Sequence, residues 1–245
     1  MAFSKSLINF FKDNEPNAVL SIFTEDLYNN LILFLIKMIT SLEKNASEEY
    51  TKALAELVRI LSYNKITLSK NVIDYVITFG NSGKNNSDKR YCIFFCSQLL
   101  QIEKDSNKDL IGKYFALHND NEKVVRREVA FQLRNIIKAK SQDYYNCNLV
   151  DVVKKLVQES EISIQIEAII SILENYDKAY EDDDFNRYLI NILMNLIKNT
   201  KMDNKENIKR ITKLVQALLK ISSENIKVAQ IFEKDVMLIF EVIYN

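Results

Sequence analysis

Apolar side chains recur at the i, i+3, i+4, i+7 spacing along nearly the whole chain, and strand-like alternation is absent. That spacing is the mark of amphipathic helices. It predicts helices over 3–12, 17–22, 25–43, 47–63, 67–80, 87–104, 107–118, 121–139, 147–158, 162–178, 184–199, 205–222 and 225–243. Short polar segments such as KNAS, YNKIT, GNSGKNNSD, HNDN, YEDDD and SSEN lie between them. Many supply Asn, Asp or Ser as helix N-caps. In HNDNEKVVRREVAFQLRNIIK (118–138), Asn119 and Glu122 have the spacing of a capping box. No connecting segment is long enough to part the chain, so a single all-α domain over 1–245 is expected.

The helices repeat in pairs. Val125, Val129, Ala130, Leu133 and Ile136 share one face of the helix at 121–139. Ile164, Ala168, Ile169, Ile172 and Leu173 form the matching series 164 − 125 = 39 positions later. Tyr91, Phe95, Cys96, Leu99 and Ile102 form it 125 − 91 = 34 positions earlier. Each series follows a shorter amphipathic helix and a polar turn. The unit is therefore helix–turn–helix, clearest over 87–178, and such a unit must stack on neighbours to bury its stripe.

The stretch LIGKYFALHNDNEKVVRREVAFQL (110–133) resembles a HEAT repeat: a first helix, an acidic turn, then Val-Arg and a small residue early in the second helix. Asp120, Val125, Arg126 and Ala130 fall on those positions, and Leu133 continues the core face. VVKKLVQESEISIQIEAIISIL (152–173) matches more loosely, with Ile164-Gln165 in place of Val-Arg. The resemblance implies an α-α superhelix, a HEAT/armadillo-like solenoid of antiparallel helix pairs in a right-handed stack. Asp120 and Arg126 are read as structural, the carboxylate favoured by the helix dipole. A second stripe on the same helix, Arg127, Phe131, Arg134 and Lys138, points away from the core face. Shifted by 39 it becomes Ile166, Ile170, Leu173 and Asp177; shifted by −34 it becomes Ile93, Ser97, Leu100 and Lys104. Second helices line the concave side of HEAT stacks. The resemblance thus implies a partner-binding groove that includes Arg127, Phe131, Arg134, Lys138, Ile166 and Ile170. The alternative is that its apolar members pack against adjacent helices.

VRREVAFQLRNI is most similar to the scaffold and regulatory subunits of type-2A-like protein phosphatases, including the phosphatase 4 group. That similarity implies a non-catalytic scaffold holding a phosphatase catalytic subunit. Condensin-type and nuclear-transport HEAT subunits are alternatives, as is a HEAT-like DNA glycosylase. The glycosylase would need a basic groove with aromatic residues and an acid.

Composition narrows these readings. There are 33 Lys and Arg against 33 Asp and Glu, so the formal net charge is zero. Nucleic-acid binders usually carry a basic excess, so nucleic acid is not the expected partner. Only 3 Gly and 1 Pro interrupt the chain, which suits helices joined by short turns. The N-terminus lacks an uninterrupted signal-type apolar core. With 3 cysteines, an odd number, reduced thiols and an intracellular setting in cytoplasm or nucleus are expected. The apolar run LILFLIKMI (31–39) is too short to span a bilayer and reads as a buried helix, so no membrane is expected.

Candidate chemistry is sparse. Gly80-Asn81-Ser82-Gly83-Lys84-Asn85 lacks the first Gly and the Ser/Thr of a phosphate loop, and no strand precedes it. Cys92 and Cys96 lie one helical turn apart, but a zinc site needs two further ligands. They are read as packing residues. Glu181-Asp182-Asp183-Asp184 lacks the spacing of an EF-hand and is read as a solvated helix start. His118 is the only histidine, and no triad motif surrounds it. Neither a cofactor nor a catalytic residue is expected.

Overall fold

A computed structural model describes residues 2–63, 66–82, 86–102, 108–138 and 149–173, with isolated helical positions between 191 and 219. The described residues are all-α, with no strand among them. Among the described residues ten helices are continuous: α1 (Ala2–Asp13), α2 (Pro16–Ile22), α3 (Glu25–Ser41), α4 (Lys44–Leu61), α5 (Lys70–Ser82), α6 (Asn86–Leu99), α7 (Lys108–Ala116), α8 (Lys123–Lys138), α9 (Leu149–Val157) and α10 (Ile162–Leu173). One 3-10 turn, Leu117–Asn119, follows α7. The helices expected over 184–199 and 205–222 fall mostly outside the described residues, and that over 225–243 wholly outside.

Local chemistry sets the boundaries. Pro16 begins α2, where its missing N–H and fixed φ suit the first helical position. The Thr24 hydroxyl accepts the Leu27 N–H and caps α3, with Glu25 and Asp26 in the first turn. Helix α5 begins at Lys70, three residues later than the spacing predicts. Tyr28 and Asn29 of α3 hold the segment before it: the Tyr28 hydroxyl donates to the Thr67 carbonyl at 3.1 Å, and the Ser69 N–H donates to Asn29 Oδ1 at 3.0 Å. Ser69 then caps α5 through its carbonyl and hydroxyl.

The chain divides into two compact units, with the boundary inside α8 between Val129 and Ala130. In the first unit each helix packs on its successor in the pairs α3–α4, α5–α6 and α6–α7. Helices two positions apart also meet, α3 with α5, α4 with α6 and α5 with α7, while α1 and α2 close against α4. Buried polar groups are tied into this packing. The Ser47 hydroxyl donates to the Ile39 carbonyl at 2.9 Å, and the fully buried Tyr114 donates its hydroxyl to the Val129 carbonyl at 2.6 Å. In the second unit the end of α8 meets α10, where the Ser171 hydroxyl donates to the Ala130 carbonyl at 2.8 Å.

The predicted core face is buried. Val125, Val129, Ala130, Leu133 and Ile136 are inaccessible, as are Phe95, Cys96, Leu99 and Ile102 earlier in the chain and Ala168, Ile169 and Ile172 later. Ile32, Leu35, Ile36 and Ile39 make the 31–39 run a core helix. No single described helix is long and apolar enough to cross a membrane.

Leu133 lies mid-helix with no exposed surface. Leu133→Ala should destabilise the protein by about 2–5 kcal/mol, read as a lower denaturant midpoint at unchanged slope.

Candidate functional site

The turn that carries the repeat motif is closed by its charged residues. Glu122 stands at the cap of α8, its carbonyl accepting from Val125 and Arg126 N–H groups. The predicted Asn119–Glu122 box is replaced by a bond from the Glu122 N–H to Asp120 Oδ1 at 3.0 Å. The other Asp120 oxygen accepts from Lys89 Nζ of α6 at 2.7 Å. Arg126 turns back and donates Nη1 to the carbonyls of Asp120 and Asn121, at 2.9 and 3.0 Å. Asp120 and Arg126 thus organise one turn, Asp120 through its carboxylate and Arg126 through backbone oxygens. Burial pushes the Asp120 carboxyl up, but the Lys89 and Glu122 hydrogen bonds and the charges of Lys89 and Arg126 outweigh it. Its pKa is lowered as a result.

The first unit also carries a cleft of about 250 Å³. Ser87, Arg90, Tyr91 and Phe94, at i, i+3, i+4 and i+7 of α6, form one wall. Ile39 of α3, Thr51 of α4 and Glu128 of α8 complete it. Both Nε and Nη2 of Arg90 donate to Glu128 Oε2, at 3.2 and 3.1 Å. The pair is lopsided: the Glu128 side chain is 15% exposed and that of Arg90 is 53% exposed. The two cleft aromatics share a buried support. Tyr91 stacks on Phe95 at 6.1 Å between centroids, and Phe94 meets the same ring edge-on at 5.5 Å. Rings held this way reach the cleft with little freedom left to lose on binding. Repeat spacing missed this face. It placed Tyr91 in the core series and aimed at Ile93, Ser97 and Leu100, all of which are buried. The i, i+3, i+4, i+7 run of mixed residues at 87–94 was the available signal.

The predicted groove residues are dispersed. Arg127 is exposed in the first unit. In the second unit Phe131 is 42% exposed, and the Arg134 guanidinium lies 4.3 Å above its ring centroid. Arg134 also donates Nε to the Phe131 carbonyl at 2.9 Å and stands 3.8 Å from the Glu167 carboxylate of α10. The carboxylate beside Arg134 is therefore supplied by this chain. The side chain of Lys138 lies outside the described residues, as do Lys104, Cys147, Asp177 and the acidic run 181–184. Ile166 and Ile170 are a correction. They are 2% and 8% exposed and belong to the core, on the buried side of α10 with Ile164, Ala168, Ile169 and Ile172. They form no groove floor. Among the described residues no group of three or more His, Cys, Asp or Glu side chains is placed to hold a metal.

No family model matches the chain. An uncharacterized protein of Methanocaldococcus jannaschii is 22% identical over 219 residues, covering 80% of this chain and 57% of that protein. The chain thus spans little more than half the length of that relative. Among solved structures, an engineered protein crystallised by the Northeast Structural Genomics Consortium superimposes with a TM-score of 0.42 at 12% identity, over 89% of this chain and 98% of that one. Neither similarity assigns a family or an activity.

Two measurements check the turn. Because the Asp120 pKa is lowered on folding, its contribution is present above the unfolded value and is lost as pH falls through the folded one. Asp120→Asn should therefore be less stable than the parent from neutral pH down to about pH 5, and the gap should close below about pH 4. Arg126→Ala should lower the melting temperature, since bonds from a charged group contribute about 1.5–3 kcal/mol. The exposed Arg127→Ala should stay within about 0.5 kcal/mol of the parent.

Proposed function

We propose that this chain is a non-catalytic helical-repeat scaffold of the HEAT-like superhelical kind, which holds a partner protein in the cleft lined by α3, α4, α6 and α8. The packing order of the first unit supports the reading: successive helices pair, and helices two positions apart stack. A quasi-one-dimensional stack of this sort uses its inner layer as a binding surface. The observation that carries the proposal is the cleft itself. It combines two pre-set aromatic rings, a half-exposed arginine and two hydroxyl-bearing residues. Aromatic and arginine side chains dominate binding energy where proteins meet. The partner to try first is a type-2A-like phosphatase catalytic subunit, because the 110–133 repeat resembles the scaffolds of that group.

The test uses the full chain as bait for that purified subunit, compared with a Tyr91→Ala, Phe94→Ala double variant. Truncations that matter cost more than about 1 kcal/mol each, so binding should weaken at least about fivefold. Far-ultraviolet circular dichroism should remain helical. Equal binding by parent and variant would remove the cleft from the interface; no binding by either would remove this partner class.

A further inference from the structure

A second cluster of chemistry lies inside the first unit, where α5, α6 and α7 meet. Cys92 and Cys96, one turn apart on α6, are both fully buried, with their sulfurs 4.0 Å apart. Cys92 packs against α5, its thiol donating to the Val76 carbonyl at 3.4 Å. Its sulfur occupies the space a side chain at Gly80 would need: a Cβ built there would stand 2.3 Å from Cys92 Sγ. Lys113 of α7 reaches the same spot, its Cε 3.0 Å from that position, and its ammonium group donates to Asn81 Oδ1. A buried pair of neutral thiols gains little from a neighbouring cation. A buried anionic pair needs one.

We propose that Cys92 and Cys96 form a two-thiolate site for a soft, low-coordinate monovalent cation of the Cu(I) type, with Lys113 balancing its charge. Thiolate ligands suit Cu(I), zinc and iron–sulfur clusters, and of these Cu(I) is the one that two ligands can hold. Two-coordinate Cu(I) takes a near-linear arrangement, in which two metal–sulfur bonds of about 2.3 Å span about 4.6 Å, so the sulfurs, now 4.0 Å apart, separate by about 0.6 Å on binding. Tetrahedral zinc would require four ligands, and the described residues offer no third His, Cys, Asp or Glu to such a group. On binding, two S–H bonds break, two metal–sulfur bonds form, and two protons leave to solvent. No electron is transferred. The bis-thiolate complex carries one negative charge, which the neighbouring Lys113 side chain balances.

The probe is Cu(I) itself, presented anaerobically to the reduced full chain as a coloured bicinchoninate complex. The parent should withdraw one Cu(I) per chain, and Cys147→Ser should do the same. Cys92→Ser and Cys96→Ser should each withdraw none. Should Cys96→Ser fail to fold, Cys96→Ala, which buries no hydroxyl, takes its place. Lys113→Met should bind about 10–100-fold more weakly while its circular dichroism matches the parent's, as expected for a group outside the coordination sphere. The proposal is overturned if the parent leaves the chelator complex intact, if Cys147→Ser alone abolishes withdrawal, or if folded Cys92 or Cys96 variants still take the metal.

Discussion

A helix with one apolar face cannot stand alone in water, and the arrangement of this chain follows from removing every such face. In the first unit, α3 and α4 cover each other, yet each still turns a flank toward α5 or α6. Helix α6 is reached by α4, α5 and α7, and seven of its residues, including the polar Ser97 and Gln98, lie in the interior. Hydrophobic burial supplies the drive, and buried hydroxyls donating to helix carbonyls keep the polar groups paired. Ser47, Tyr114 and Ser171 each do this across a helix contact.

The same demand explains what could be read from the sequence. Helix positions and core faces were legible because a 3.6-residue period is imposed by burial itself, and Val125, Val129, Leu133 and Ile136 needed no partner to be recognised. Starts set by distant residues were not legible. The late beginning of α5 depends on Tyr28 and Asn29, about forty positions upstream. The candidate site was the least legible part. Transferring the Arg127–Phe131–Arg134 stripe to neighbouring repeats assumed equal exposure of equivalent faces. Ile93, Ile166 and Ile170 refute that, since the equivalent faces of α6 and α10 are covered where α8 is open at Phe131. Arg134 showed a second limit: its counter-charge, Glu167, belongs to another helix of the same chain.

Charge is used in two ways. Around the Asp120 turn it is inward-looking, with Lys89 and Arg126 satisfying a carboxylate and two carbonyls that would otherwise strain the tight connection. At the cleft it is half outward. Glu128 is sunk and its Arg90 partner is half in water. An incoming acceptor would meet a guanidinium already oriented by its carboxylate, so little side-chain entropy remains to be lost.

Gly80 bears on how this sequence can drift. The obstacle to a side chain there is Cys92, both its sulfur and its Cβ, the latter 2.8 Å from where a new methyl group would stand. A sulfur can rotate away, but a Cβ moves only with its backbone. Positions 80 and 92 therefore share room for one side chain between them. Related sequences that enlarge position 80 should shrink position 92 in compensation, or else carry α5 and α6 farther apart. That makes these two residues a paired marker of the helix spacing, readable in any alignment without a structure.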